Sequence, residues 1–317
     1  MTKKKFSAAS AAIELTVVVD NTIDIFLEDK EHVQYPKPGK CSSLLAEQGL
    51  ALWLEVRDEK GGVTRILYDF GRSETVLKNN LSLLDLDPSK LDMLILSHGH
   101  IDHYGGLLWL LKNSPSSCPL IVHPKAFGPR GVMRPDGKMA GPWCLNLEEI
   151  KNLRTAPIVT VEGPIVTVEG PFQAAPGICV SGAIPRKSKL DVPFKSAVRM
   201  VDDELQPDLL EDDMALIVNI EGMGILVITG CCHAGLINTL EIAEVLFPGQ
   251  TLIGILGGLH LNNIERERLD SILGALAKRN PKYIIPLHCT GALAQHALLE
   301  CFGDSFMFGT VGARFTF

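Results

Sequence analysis

Residues 94–106 read LILSHGHIDHYGG, with three histidines and an aspartate inside the six positions from His98 to His103. An apolar run leads into the cluster and a glycine pair follows it. Strand periodicity sends alternate side chains to one side, so His98 and His100 project together from the end of the strand DMLILS. Asp102 and His103 then come from the opening of a helix that begins near Tyr104. A lone histidine is ordinarily a hydrogen-bonded side chain, but this density reads as a metal site. Two ligand pairs from one turn suit two cations about 3.5–4 Å apart, the spacing of two-metal hydrolases. Gly99, Gly105 and Gly106 permit backbone geometries that a Cβ would obstruct.

The remainder of the chain supplies a frame for such a site. Apolar, β-rich runs recur at IELTVVVD, ALWLEV, RILYDF, PLIVH, ICVSGAI, TLIGILGG and KYIIPL, and MALIVNIEGMGILVITG predicts a hairpin turning at Glu221 and Gly222. Helical patterns lie between them, at residues 75–84, 104–113, 235–247, 265–279 and 291–302. Near-continuous apolar strands need cover on both faces, which predicts an α/β sandwich in layers. With 46% hydrophobic and 21% charged residues the chain can bury a large core, which excludes disorder. It reads as a single domain over 1–317, with insert or lid loops near 124–145 and 155–212. The heptad IVTVEGP occurs twice in tandem across residues 158–171, as expected of an extended surface ribbon. The apolar stretch near the N-terminus reads as a first strand and not a signal peptide, because Glu14 interrupts it and TVVV is β-branched.

Charge and cysteine usage narrow the function classes. A net charge of −7 argues against nucleic-acid binding driven by bulk charge, and no run approaches the roughly 20 apolar residues that span a bilayer. The eight cysteines form no C-x-x-C pair, so they read as reduced thiols of a cytoplasmic protein. Strand-end placement makes His288, in IIPLHCTG, a further ligand candidate. His233, in ITGCCHAG, is a ligand or a helix-capping histidine, and Cys231 is a thiolate ligand or a small buried residue.

The H-x-H-x-D-H stretch resembles the signature of the metallo-β-lactamase superfamily, and ILYDFG resembles its strand ending in Asp-x-Gly. The resemblance implies a four-layer αββα sandwich with metal at one rim. It implies His98, His100, Asp102, His103 and His288 as ligands and Asp69 as a brace for the metal loop. The chain departs from the family in lacking a Thr-Pro-Gly-His segment and in placing Cys231 where a bridging aspartate usually stands. His233 is the substitute ligand, and Cys231 supports the site.

TGCCHAG, GGLHL and LHCTG together resemble the branch named 7,8-dihydropterin-6-methyl-4-(β-D-ribofuranosyl)aminobenzene 5′-phosphate synthase. That resemblance implies a joining of two anionic partners with release of pyrophosphate. It also places His260 at the site, as ligand or substrate contact, with Asp20 and Asn21 at its rim. The expectation is a metal-dependent hydrolase or transferase acting on a phosphorylated or pyrophosphorylated small molecule. One or two divalent ions serve it, zinc foremost, with iron and manganese as alternatives. Asp102 and His260 are the catalytic candidates, and Arg130, Arg134 and Arg186 are candidate contacts to an anionic substrate. A phosphodiesterase of other specificity, or a non-catalytic metal- or ligand-binding protein of the same fold, is the rival reading.

Overall fold

The computed structural model describes residues 10–153, 158–160, 171–192 and 194–317. Residues 161–170, most of the duplicated heptad, lie outside the described residues.

Two sheets face each other. The first has eight strands in the order Val33–Gln34, Arg314–Thr316, Ala12–Val19, Ala51–Arg57, Val63–Tyr68, Met93–Ile95, Leu120–Val122, Ile158–Thr160. The second has six, in the order Phe172–Ala175, Ile178–Val180, Ala215–Ile220, Gly224–Thr229, Leu252–Gly258, Tyr283–Leu287. The predicted hairpin turns between Ile220 and Gly224, and both of its strands are wholly buried. Strands buried on both faces have no need of polar alternation, which is why these segments read as unbroken apolar runs.

Three cores account for the layering. Between the sheets lie Leu15, Leu52, Ile66, Leu216, Ile228 and Phe315. Helices Glu74–Leu83 and Leu107–Asn113 cover the outer face of the first sheet, packing Leu77, Leu81 and Leu110 against Leu67 and Leu94. The second sheet is covered by Leu236–Leu246, Arg266–Ala277 and Ala292–Phe302 through Leu240, Leu273 and Leu298. The order is helix, sheet, sheet, helix, the αββα sandwich expected.

Each sheet has a parallel portion. In the first, Val63–Tyr68, Met93–Ile95, Leu120–Val122 and Ile158–Thr160 run together; in the second, Gly224–Thr229, Leu252–Gly258 and Tyr283–Leu287 do. Asp69, residues 98–103, Cys231, His233, His260 and His288 follow the carboxyl ends of these strands, where open α/β sheets present their ligand crevices.

The expected lid loops take a different form. Glu204–Pro207, Ala197–Val201, Gly128–Met133 and Met139–Leu145 make a third, antiparallel sheet of four strands. Its strands GPRGVM and MAGPWCL carry glycine and proline, residues depleted in strands, so the pattern did not announce them. Val132 and Trp143 of this sheet line a pocket together with His100, His233 and His288.

Candidate metal centre

The loop after Met93–Ile95 is held by Asp69. Its Oδ1 accepts from the Ser97 amide at 2.7 Å, and its Oδ2 accepts from Ser97 Oγ at 2.7 Å and lies 2.6 Å from His103 Nδ1. Asp69 and His103 are fully buried. A carboxylate can only accept, so His103 Nδ1 carries hydrogen and its Nε2 is directed to the other side. Ser97 Oγ, having given its proton to Asp69, accepts from His98 Nδ1 at 2.9 Å, which leaves the His98 Nε2 lone pair free. His288 follows the same rule: its Nδ1 lies 3.0 Å from Asn21 Oδ1, and its Nε2 faces Asp102 Oδ2 at 3.5 Å.

The freed nitrogens converge. His98 Nε2 lies 3.0 Å and His233 Nε2 3.2 Å from His100 Nδ1. His103 Nε2 is 3.1 Å from Cys231 Sγ. His98, His100 and His233 form one group whose ligand atoms fall within 4.8 Å of one another, and Asp102, His103 and His288 form another. Cys231 joins His98 and His103 in a third group, and His260 and Cys289 in a fourth. His100 Nε2, His233 Nδ1, His260 Nδ1 and His288 Nε2 are buried without a hydrogen-bond partner. Buried ring nitrogens left without a partner are unfavourable, and a bound cation is one way to satisfy them.

Electrostatics prepare the same end. Burial, followed by the charges of neighbouring histidines, holds His98 and His233 well below the ordinary imidazole range, and burial lowers His100 to about 4. All three are neutral near pH 7, the form that ligates metal. Burial opposes the charge on His103, yet the Asp69 carboxylate and its hydrogen bond push it up to about 9. Burial would raise Asp102, but the His288 hydrogen bond and the nearby histidines hold it low, as an anion. The donor set therefore fits divalent cations: neutral imidazoles at His98, His100 and His233, the ionised Asp102 carboxylate, a thiol, and His103, whose Nε2 proton a bound cation would displace.

Two acidic residues from the segment before Ala215–Ile220 lock the loops from behind. Asp212 Oδ2 accepts from the Gly99 amide at 2.8 Å, and Asp213 Oδ2 from the Ala234 amide at 2.7 Å. The pairing of this acidic run with two metal-loop amides follows no local sequence pattern. Gly99 packs so closely that a Cβ would lie 2.2 Å from Ala126 O. Asp69, His260 and His288 adopt left-handed backbone, with φ of 59°, 48° and 47°. Non-glycine residues reach that region only when surrounding structure compels it, and such residues gather at functional sites.

The other expected site residues fall elsewhere. Asp20 is buried and accepts from the His288 amide at 2.7 Å, so it and Asn21 hold the His288 loop in place instead of forming the rim. Arg130 is 2% exposed, its Nη1 2.8 Å from Asp212 and its Nε 3.3 Å from Asp208. Arg134 pairs with Asp136, and Arg186 Nη2 donates to the carbonyls of Leu209 and Leu210. Among the described residues the cation that does line the metal pocket is Arg72, whose Cζ sits 5.9 Å from the centroid of Trp143. It follows the Asp-x-Gly stretch directly, a position that sequence reading passed over.

The pocket above the histidines has a volume of about 230 Å³ and a neighbouring cavity one of about 390 Å³. Phe194, His233, His260 and Asn262 line both. His260 lies with the cysteines: burial opposes its charge, but Cys289 raises it. Burial pushes the Cys231 thiol well up, while hydrogen bonds to Cys231 and His260 overcome burial and hold Cys289 low.

A buried histidine and carboxylate cluster at the parallel strand ends of a four-layer sandwich defines a metal-dependent, hydrolase-like fold. The family model for the metallo-beta-lactamase superfamily matches residues 48–143. The 7,8-dihydropterin-6-methyl-4-(beta-D-ribofuranosyl)-aminobenzene-5'-phosphate synthase of Methanocaldococcus jannaschii is 28% identical over 291 residues, covering 91% of this chain and 94% of that protein. An uncharacterized protein of the same organism, MJ0448, is 31% identical over 270 residues, covering 84% and 92%. Among solved structures, a metal-dependent hydrolase of the β-lactamase superfamily, Tm1679, matches with a TM-score of 0.72 at 23% identity, covering 95% of this chain and 98% of its own. A diphosphatase from the PhnP family matches at 0.50 with 12% identity, covering 96% and 98%. At such identities the two structures speak for the fold alone. The chain belongs to the metallo-β-lactamase superfamily and is similar to the dihydropterin synthase over most of its length. No helix among the described residues is long and apolar enough to cross a membrane.

Proposed function

We propose that the protein is a metal-dependent hydrolase or transferase acting on a phosphorylated or pyrophosphorylated small molecule, pterin-like compounds included. The observation that carries this reading is the fixing of three tautomers. Ser97, Asp69 and Asn21 each occupy an Nδ1, so that His98, His103 and His288 turn Nε2 toward His100, Cys231 and Asp102 respectively. His98, His100 and His233 would hold one cation, and Asp102, His103 and His288 a second, with Cys231 beside them.

Bound divalent cations supply Lewis-acid polarisation of a phosphoryl centre and neutralise charge on its leaving group. The protein's own groups do the rest. Asp102, ionised and lining the pocket, accepts a hydrogen bond from an incoming nucleophile and orients it. Arg72, seated on Trp143, offers donors to the anionic end of a substrate. Phe194, with its ring 4.9 Å from that of His260, stands between the two cavities and presents an aromatic edge to a flat ring system. The name of the Methanocaldococcus relative supports the pterin class, and zinc suits the donors best.

Turnover of an aryl phosphodiester, an aryl phosphomonoester and a pterin pyrophosphate, with and without chelator, tests this reading. Asp102→Ala is expected to lower turnover on the order of 10²–10⁴-fold. Turnover that survives chelation, or an Asp102→Ala variant within about tenfold of the wild type, contradicts it.

A further inference from the structure

Three neighbouring strands of the second sheet each end in a soft or borderline metal donor. Gly224–Thr229 leads to Cys231, Leu252–Gly258 to His260, and Tyr283–Leu287 to Cys289. The Sγ atoms of both cysteines and a ring nitrogen of His260 lie within 4.8 Å of one another. Cysteines 58 positions apart are brought together by the parallel register, in which Thr229 pairs with Gly257 and Gly258 with Leu287.

The backbone is arranged to keep them there. Thr229 Oγ1 donates to Gly258 O at 2.8 Å, the Leu259 amide donates to Thr290 Oγ1 at 3.1 Å, and Cys289 Sγ lies 3.4 Å from Cys231 O. A Cβ on Gly258 would stand 2.8 Å from Cys289 Sγ and 3.3 Å from Cys231 Cα, so only glycine leaves both cysteines their places. His260, in left-handed backbone, has a buried Nδ1 without a hydrogen-bond partner. Cys231, His260 and Cys289 all line the pocket of about 230 Å³, which gives a cation a way in.

We propose that Cys231, His260 and Cys289 form a thiolate-rich cation subsite beside the two histidine groups, one that takes a soft or borderline divalent ion such as zinc, iron(II) or cobalt(II). It rests on the metal-dependent reading above and adds to it. Cys231 also groups with His98 and His103, so its sulfur joins the soft subsite to the histidine-rich centre. The subsite makes the centre selective: hard ions such as magnesium and manganese lack affinity for thiolate and leave this position open.

The test is a titration of the metal-free, full-length protein with cobalt(II), following bound equivalents and the thiolate-to-cobalt charge-transfer absorption. Cys289→Ser and His260→Asn are each expected to bind one equivalent fewer than the wild type. Asparagine tolerates left-handed backbone, so His260→Asn decides the matter should Cys289→Ser fail to fold. Cys289→Ser also loses part of the charge-transfer band, whereas His98→Ala loses an equivalent and keeps that part. Folded variants with the cobalt equivalents and the band of the wild type overturn the subsite while leaving metal-dependent turnover standing. A wild-type protein that takes up no cobalt overturns both readings together.

Discussion

At the scale of single residues, the site is an exercise in placing protons. Each buried imidazole has two nitrogens, and the partner given to one decides what the other can do. Asp69 serves two of the donors at once, His103 directly and His98 through the Ser97 hydroxyl. Replacing Asp69 would therefore disturb several donors, whereas replacing Arg72 would remove one interaction with substrate. Arg72→Ala is expected to raise KM for an anionic substrate about ten- to a hundredfold, the worth of a charged hydrogen bond of about 1.5–3 kcal/mol. Steady-state kinetics on charged and neutral esters checks this: an equal effect on both would show that Arg72 does not read charge.

Among elements, the strand ends and the third sheet divide the labour. Parallel strands of both sheets deliver the donors, and the segment before Ala215–Ile220 pins the loops through Asp212 and Asp213. Arg130, from the third sheet, is buried between Asp208 and Asp212 and so ties that sheet to the metal loop. Arg130→Ala leaves two buried carboxylates without their cation and is expected to destabilise the fold by about 3–5 kcal/mol. Denaturant unfolding measures it, and a loss below about 1 kcal/mol would place the pair among weakly contributing surface contacts.

Legibility followed the range of the interactions. The H-x-H-x-D-H loop, the fully buried hairpin and the helices between strands were readable because each rests on local periodicity. The third sheet was not, since its strands are held by partners distant in sequence, as where Arg130 pairs with Arg199 in register. The role of Arg130 was misread for the same reason: a guanidinium near a metal loop looks like a substrate contact until the buried carboxylates around it are in view. Cysteines that look scattered along the chain proved adjacent once the second sheet aligned Cys231 with Cys289.

For the molecule as a whole, stability depends on pH through a buried acid. Burial, with Asp212 nearby, raises Asp213 to about 7, against about 3.9 in an unfolded chain. Between those values the folded state holds a proton that the unfolded state has lost, so stability falls as pH rises from about 4 to about 7. The slope is about 1.4 kcal/mol per pH unit for this one group. Asp213→Asn should flatten that part of the profile in the metal-free protein, and unchanged pH dependence in thermal unfolding would remove Asp213 from the account.

The central claim is that the strand-end cluster exists to hold divalent metal. Its most direct test is the metal content per chain of the purified protein, with His98→Ala measured alongside. Metal carried by the wild type, or taken up on reconstitution with zinc, iron or manganese, and reduced in the folded His98→Ala protein is the predicted result. A wild-type protein that holds none after reconstitution, or a variant that holds as much as the wild type, would contradict it.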